Sequence, residues 1–358
     1  MDIKKRLRKF REGLIKRNLD AALITKRENY FYMSGFTGTA AHLLITRDNA
    51  LLITDFRYIE QAEKEAPLYE VVQHQHGTLI ATINKLVKKT GINSLGFEES
   101  DLTYGKYSEF KEKLDIMDFV PLKGLVEELR VIKDQDELAV LKKAVEIADN
   151  AFVHVLNYIK PDIREIEIAA EIEYFMKKSG ATGSSFDTIV ASGLRSSMPH
   201  GVASEKKLRM GDPVTLDYGA LYGGYCSDIT RTVFLGKPSP ELIKIYNIVL
   251  KAQLESLEHA HKGRLGKEVD MVAREIILKE GYGEYFGHGL GHGVGLEIHE
   301  EPRFSPMGTR LMENGMVVTV EPGIYVSGIG GVRIEDMIVI NDTNPIILTK
   351  AKKDMIIL

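Results

Sequence analysis

Cysteine and tryptophan are almost missing from the 358-residue chain, which has one cysteine, Cys226, and no tryptophan. A single cysteine excludes an intrachain disulfide, so the fold cannot depend on such cross-links. The surrounding Gly-Gly-Tyr-Cys-Ser sequence is more typical of a buried packing residue than of a nucleophile. We therefore expect Cys226 to have a structural role.

The sequence also has no strong excess of one charge and no apolar run long enough to cross a bilayer. It has 47 basic and 51 acidic residues, a net charge of −4, whereas nucleic-acid-binding proteins usually have a basic excess. Leu7, Phe10 and Leu14 recur at helical spacing within the basic N-terminal segment, which predicts an amphipathic helix. Residues 1–11 are charged throughout, unlike a signal peptide. We expect a cytoplasmic protein that binds neither nucleic acid nor membranes.

Length and composition predict two globular domains, since 44% of the residues are hydrophobic and 27% charged. Strand and helix patterns alternate in the first third, which predicts an α/β domain over residues 1–126. Its predicted strands are 21–25, 41–46, 51–54, 94–97 and 118–121, and its predicted helices are 56–64 and 78–89.

The second domain, residues 127–358, is predicted to contain two pairs of helices, each followed by strands. Asp134 with Glu137 three residues later resembles a capping box and predicts a helix start. The predicted helices are 135–158, 165–178, 240–261 and 267–280.

An internal repeat links the two halves of this second domain. Asp217 ends an apolar strand in Val-Thr-Leu-Asp-Tyr-Gly, and Glu321 occupies the same place in Val-Thr-Val-Glu-Pro-Gly, 104 residues later. Asp228 and Glu335 lie in the strands that follow, and each half also has a His-Gly element, at His200 and at His292. Two related halves that face each other would bring these acids to one centre.

Carboxylates at the ends of apolar strands are costly to bury unless they are paired or bound to a metal. Arg231 and Arg333 are the obvious local partners. For any one acid taken alone, a solvent-exposed salt bridge therefore remains an alternative to metal binding. Residues 287–300 add His288, His292 and His299 among closely spaced glycines, which allow a close backbone approach. An imidazole with several carboxylates favours Mn²⁺ or Co²⁺ over a thiolate-rich zinc site.

These segments resemble the pita-bread metallopeptidases, namely Xaa-Pro aminopeptidase (aminopeptidase P), prolidase and, more distantly, methionine aminopeptidase. The matching stretches are 186–193, 199–201, 216–219, 227–232, 289–300, 321–323 and 331–336, and residues 32–38 and 54–58 resemble the N-terminal domain of that family. The resemblance implies an α/β N-terminal, creatinase-like domain. It also implies an α+β pita-bread catalytic domain with pseudo-two-fold halves.

The resemblance also implies roles for individual residues. Asp217 would bind one of two divalent metal ions, Asp228 and Glu335 would bridge both, and His292 and Glu321 would complete the second site. Mn or Co is expected, with Zn possible, and a hydroxide between the two metals would attack the scissile carbonyl. Further implied roles are proton transfer by Glu321, carbonyl contacts by His200 and His299, a proline-side pocket at His288 and ligand orientation by Arg333.

The expected function is therefore that of an Xaa-Pro aminopeptidase, which removes an N-terminal residue from short peptides with proline in second position. An Xaa-Pro dipeptidase is the first alternative, because the residues do not decide the accepted peptide length. A non-catalytic pita-bread binding protein and a metal-free creatinase-like hydrolase are further alternatives, which the complete ligand set disfavours. A homodimer is expected from the resemblance alone.

Overall fold

The chain divides into two compact units between Arg130 and Val131 in a computed structural model that describes residues 2–358. The predicted domain boundary at residues 126 and 127 lies within a helix, Leu125–Arg130, which completes the first unit. None of the helices in this described range is both long and apolar enough to span a membrane.

A six-stranded mixed sheet forms the centre of the first unit, in the strand order β4-β3-β2-β1-β5-β6. Strands β1, β2 and β3 are antiparallel neighbours, whereas β4, β5 and β6 join in parallel. The strands are β1 (Ala21–Ile24), β2 (His42–Thr46), β3 (Ala50–Thr54), β4 (Glu70–Gln73), β5 (Ser94–Phe97) and β6 (Asp118–Pro121). The helices are α1 (Ile3–Lys16), α2 (Arg27–Ser34), α3 (Ile59–Glu65), α4 (Leu79–Thr90), α5 (Tyr104–Lys113) and α6 (Leu125–Arg130).

Helix α1 confirms the amphipathic pattern of the N-terminal segment, because Leu7, Phe10 and Leu14 are buried while its lysines are exposed. Helices α2 and α5 were not predicted. Helix α2 follows a strand after only two residues and ends at Gly35, whose φ of 82° is in the left-handed region that terminates helices.

Two helix pairs flank the strands of the second unit, as the internal repeat predicts. They are α7 (Gln135–Leu156) with α8 (Glu165–Lys178), and α9 (Pro240–His259) with α10 (Gly266–Lys279). The predicted capping box is confirmed, since the Asp134 carboxylate accepts from the Glu137 backbone N–H and the Glu137 carboxylate accepts from that of Asp134.

Each helix pair of the second unit is followed by its own strands. The first half contains β7 (Gly183–Ser184), β8 (Ile189–Ser192), β9 (Pro213–Tyr218), β10 (Ala220–Tyr222), β11 (Tyr225–Cys226) and β12 (Ile229–Phe234). The second half contains β13 (Gly291–Gly293), β14 (Glu300–Phe304), β15 (Val317–Val320), β16 (Gly323–Val326), β17 (Gly330–Arg333), β18 (Asp336–Val339) and β19 (Ile346–Ile347). The sheet orders are β11-β10-β7, β12-β9-β8, β14-β13-β15-β18-β19 and β16-β17.

A turn at Gly223-Gly224 joins β10 to β11, and both glycines have positive φ angles, 56° and 84°. These values suit the two-residue hairpin turns that glycine favours. Beyond this hairpin, β9 and β12 run antiparallel with Thr230 opposite Asp217. The chain therefore returns Asp228 to the end of the strand that holds Asp217.

Candidate metal centre

Three buried carboxylates from both halves of the second unit meet at one point. Asp217, Asp228 and Glu335 each offer an oxygen within 4.8 Å of the others. Asp217 is the penultimate residue of β9, Asp228 directly precedes β12 and Glu335 directly precedes β18, so strand ends position all three. Their relative exposures are 8%, 5% and 1%, which leaves little water to solvate the charges.

His292 on β13 and Glu321, which directly follows β15, extend this cluster from the second half. The His292 Nε2 atom lies 3.2 Å from a Glu321 carboxylate oxygen and 3.6 Å from one of Asp228. The ring presents Nε2 to the acids while its Nδ1 lies 3.1 Å from the Gly293 carbonyl oxygen. The five predicted metal-ligand positions are therefore brought to one place.

The remaining predicted site residues surround the same cluster. A cavity of about 520 Å³ is lined by all of them together with the four acids and the His292 imidazole: His200, His288, His299, Arg333, Asp217, Asp228, His292, Glu321 and Glu335. The His299 ring centre lies 4.4 Å from that of His292, and both His299 and His200 are exposed residues of the lining. Cys226 is buried and lies outside this lining.

Burial and mutual repulsion determine the protonation of the carboxylates. Burial, reinforced by the neighbouring acids, raises the pKa values of Asp228 and Glu335 well above their ordinary range. Burial also raises the pKa of Asp217, although Arg333 opposes that shift. Burial acts on Glu321 in the same direction, but its hydrogen bond with His292 and the His292 charge lower the pKa of Glu321 to about 2.

The residues present fit a divalent metal site. Asp228 Oδ1 and Glu335 Oε1 are buried and have no hydrogen-bond partner among residues 2–358. Buried polar atoms are rarely left unpaired, and carboxylate oxygens are ligands that hard divalent cations prefer. Cations at this position would satisfy both atoms and remove the repulsion among the acids.

Two threonines orient the ligands, and sequence reasoning missed both. Thr230 Oγ1 donates to Glu335 Oε2 at 2.7 Å, and Thr319 Oγ1 donates to Glu321 Oε1 at 3.0 Å. Each threonine lies two residues from an acid, Asp228 or Glu321, a spacing that places side chains on one face of a strand. This two-residue spacing from an acid was the sequence pattern that could have identified the two threonines.

Arg333 lines the cavity and is hydrogen-bonded to both Asp217 and Tyr325. Arg333 donates from Nη2 to the Asp217 carboxylate and from Nη1 to the Tyr325 hydroxyl at 2.8 Å. The Tyr325 hydroxyl also lies 3.0 Å from His288 Nε2, and burial raises the pKa of Tyr325 to about 12. Tyr325 was missed because no sequence pattern links it to His288.

Arg303 is a further cavity residue that the sequence did not reveal. It lies on β14 directly opposite His292 in the antiparallel pairing of β13 with β14. Within the described range, 2–358, its guanidinium has no hydrogen bond and no carboxylate within ion-pair distance. A partly buried, unpaired guanidinium beside the acids is suited to bind a carboxylate ligand.

Two family models match the chain. Metallopeptidase family M24 matches residues 139–342, and the Creatinase/Prolidase N-terminal domain matches residues 6–132. The chain belongs to metallopeptidase family M24. The expected fold class, a creatinase-like N-terminal domain followed by a pita-bread catalytic domain, is thereby confirmed, and family membership implies divalent metal ions.

Relatives of this M24 chain cover nearly its whole length. The Xaa-Pro dipeptidase of Pyrococcus horikoshii is 43% identical over 362 residues, 99% of this chain and 100% of the relative. The structure of an Xaa-Pro dipeptidase from Bacillus anthracis has a TM-score of 0.97 and 52% identity, and covers 99% of this chain and 100% of its own. An X-Pro aminopeptidase from Thermotoga maritima has a TM-score of 0.91 and 40% identity, with coverages of 97% and 100%.

Proposed function

We propose that this M24 metallopeptidase hydrolyses the bond between an N-terminal residue and a following proline, with Xaa-Pro dipeptides as its preferred substrates. Such bonds need a specialised enzyme because the proline nitrogen carries no hydrogen and the ring fixes φ. The similarity to proteins named Xaa-Pro dipeptidase, at up to 52% identity over almost the whole chain, supports this substrate class.

The observation that carries the dipeptide preference is the unpaired guanidinium of Arg303 beside the acid cluster. A dipeptide has its terminal carboxylate on the proline itself, one residue from the scissile bond. Arg303, opposite His292 across two strands, could receive that carboxylate. A longer peptide has an amide there, which would leave the guanidinium without its counter-charge.

The residues that would hold the divalent metal ions of the proposal are Asp217, Asp228, His292, Glu321 and Glu335. Two divalent cations held there would supply Lewis acidity for the scissile carbonyl and activate a water at neutral pH. Mn or Co is proposed, because carboxylate oxygens predominate in the ligand set. The metal content of purified protein, measured by elemental analysis, tests both the stoichiometry and the identity.

The chain's own residues would bind the peptide and move protons around the reacting bond. The Glu321 carboxylate, held by Thr319, would accept a proton and pass it to the proline nitrogen. His200 and His299 at the cavity opening would donate hydrogen bonds to the carbonyl oxygen as it gains charge. His288, fixed by Tyr325, would form the side of the proline pocket.

The test compares three substrates with metal-loaded protein: an Xaa-Pro dipeptide, its C-terminal amide and an Xaa-Pro-Yaa tripeptide. We expect cleavage of the dipeptide, abolished by a chelator, and a much higher KM for the amide. Preferred cleavage of the tripeptide would instead establish the aminopeptidase activity. Cleavage of none of them, or cleavage that a chelator leaves intact, would contradict the proposal.

Replacement of Arg303 tests the carboxylate contact directly. Arg303→Ala is expected to raise KM for the dipeptide by about 10-fold to 100-fold, the range for loss of a charged contact of about 1.5–3 kcal/mol, and to leave the amide unaffected. Arg310→Ala is the matched control, because Arg310 lines a neighbouring cavity and not the acid cluster. Equal effects of Arg303→Ala on the dipeptide and its amide would contradict the assigned contact.

The expected homodimer and cytoplasmic location are also part of the proposal. Light scattering of the purified chain tests the first, and cell fractionation tests the second.

A further inference from the structure

A second group of buried charges lies next to the acid cluster and centres on Asp336, which is 0% exposed. The Asp336 carboxylate accepts from Thr349 Oγ1 at 2.6 Å and from Arg231 Nη2 at 2.8 Å on one oxygen. Its other oxygen accepts from Lys353 Nζ at 2.7 Å and Gln253 Nε2 at 2.8 Å. Four donors on one carboxylate form a satisfied, rigid network.

Arg231 links this network to the backbone of the acid cluster. Its Nη1 atom donates to the carbonyl oxygen of Thr230 at 2.9 Å and to that of Glu335. Its Nε atom donates to the Lys352 carbonyl at 3.1 Å, and Nη2 donates to that of Ala351 at 2.7 Å. One planar guanidinium therefore joins two strands of the site to the end of the chain.

The neighbours of these residues in sequence are the ones that face the metal centre. Thr230 precedes Arg231 and Glu335 precedes Asp336, and successive side chains of a strand point to opposite faces. Thr230 Oγ1 and Glu335 Oε2 meet at 2.7 Å on the metal side, while Arg231 and Asp336 meet behind them. The position of the Glu335 carboxylate thus depends on the backbone that Arg231 holds.

The last donors come from residues 349–353, which we name the C-terminal strap. The strap is attached to α7 as well, because the Asp149 carboxylate accepts from the Lys350 and Ala351 backbone N–H groups at 2.8 and 2.9 Å. It supplies Thr349 and Lys353 to Asp336, and two carbonyl groups to Arg231. It contributes no residue to the cavity lining.

We propose that the C-terminal strap is a positioning element for metal binding, which acts through Asp336 and Arg231 to fix Thr230 and the Glu335 carboxylate. The inference rests on the proposed function, since it requires Glu335 to be a metal ligand. Partners of this kind tune metal affinity because they hold a ligand in its binding geometry. Lys353 and Thr349 are positioning residues in this scheme, since neither lines the cavity.

The test titrates Mn²⁺ into metal-free, full-length protein by calorimetry, well below the melting temperature. Lys353→Met removes one donor to Asp336, and Thr349→Val removes another with almost no change in shape. Lys352→Met is the matched control, because Lys352 is adjacent and its side chain is exposed. We expect the Kd for Mn²⁺ to rise about tenfold in Lys353→Met, to rise also in Thr349→Val, and to stay unchanged in Lys352→Met.

The melting temperature of each metal-free variant separates positioning from simple stabilisation. A lower melting temperature with an unchanged Kd for Mn²⁺ in both strap variants would show a structural role only and overturn the inference. A failure of the unmodified chain to bind either Mn²⁺ or, in a parallel titration, Co²⁺ would overturn the proposed function together with this inference. Thr349→Val keeps the inference testable should Lys353→Met not fold, because it leaves every buried charge in place.

Discussion

At the scale of single residues, the acid cluster joins carboxylates that repel one another in the absence of a cation. Asp217, Asp228 and Glu335 are buried, and burial raises the pKa of each. A site of this kind reduces the stability of the metal-free protein, because function requires charges that folding disfavours. Metal binding and stability should therefore respond in opposite directions when one charge is removed.

Asp228→Asn and Glu335→Gln test that opposition. Each is expected to reduce activity by more than the roughly 10–100-fold cost of losing an outer partner of a metal ligand, because a ligand itself is lost. Each should also raise the melting temperature of the metal-free protein, since the free-energy cost of burying an ionisable carboxyl group disappears. Elemental analysis, peptide hydrolysis and thermal unfolding measure the three effects. Full turnover by either variant would contradict the bridging role.

Glu98 is a buried acid of the first unit with no part in the metal centre. Its carboxylate accepts from the Thr25 and Lys26 backbone N–H groups and from Asn29 Nδ2, at 2.6–2.8 Å. These hydrogen bonds favour the charged form, but burial outweighs them and raises the pKa of Glu98 to about 7. The folded state therefore binds this proton more tightly than the unfolded state, whose reference pKa is 4.5.

The sign of the pH dependence follows from that shift. The stabilising effect of the Glu98 proton is fully present below pH 4.5 and is lost as the pH rises through about 7. We expect the free energy of unfolding to fall between pH 5 and pH 7.5, by on the order of 3 kcal/mol at most. Urea unfolding of Glu98→Gln should show a smaller fall over the same interval. Identical pH slopes in both proteins would contradict the raised pKa.

At the scale of elements, the segment from β13 to β14 carries two of the site histidines and is held by a buried ion pair. Lys133 Nζ lies 3.3 Å from Glu300 Oε2, with side-chain exposures of 1% and 7%. The other Glu300 oxygen accepts from the Glu297 backbone N–H at 2.9 Å. Glu300 therefore joins the two ends of the turn that contains His299 and attaches this turn to Lys133.

Lys133→Met should destabilise the protein by about 3 kcal/mol, because it leaves the charge of buried Glu300 without Lys133. The double variant Lys133→Met with Glu300→Gln should recover part of that loss. Lys142→Met, at an exposed position of α7, is the control. Urea unfolding of the unmodified chain, the single variants Lys133→Met and Glu300→Gln, and the double variant gives the coupling between Lys133 and Glu300. Additive effects of the two substitutions would show that the pair does not interact.

The glycines of residues 287–295 differ in how much space a side chain would have at each position. A Cβ atom on Gly291 would lie 2.0 Å from the Thr319 carbonyl oxygen of the neighbouring strand, whereas one on Gly287 would meet nothing within 4 Å. Gly291→Ala should therefore displace His292, with a destabilisation of about 1–3 kcal/mol and weaker Mn²⁺ binding. Gly287→Ala is the matched control and should leave both unchanged. Equal Mn²⁺ affinities of the two variants would contradict the hypothesis that a side chain at position 291 displaces His292.

The sequence predicted the elements with strong local signals and missed those that depend on distant contacts. The helix Glu165–Lys178 and the strands Ser94–Phe97 and Asp118–Pro121 were predicted to the residue, from periodicity and turn residues. The acids of the cluster were predicted as a group because Asp217 and Glu321 occupy the same place in an internal repeat. The spacing of Thr230 from Asp228 places both side chains on one face of a strand, but it does not predict the contact of Thr230 with Glu335, which lies 105 positions away.

At the scale of the whole molecule, metal binding should stabilise the two units unequally. Every proposed ligand lies in Val131–Leu358, and a ligand that binds only the folded state stabilises what it binds. Mn²⁺ at about 100 times its Kd would add about 2.7 kcal/mol to the folded form of the second unit. Hydrogen exchange with and without a chelator can locate that gain along the chain.

We expect metal-dependent protection in the strands that contain or adjoin the ligands, β9, β12, β13, β15 and β18, and little change in the sheet of the first unit. Asp228→Asn provides the control, since it should make exchange insensitive to the chelator throughout the chain. Protection that rises equally in β1 and β9 would mean that the two units unfold as one cooperative body, and the metal would then stabilise the entire chain. Protection confined to the second unit would show that Met1–Arg130 folds independently of the metal.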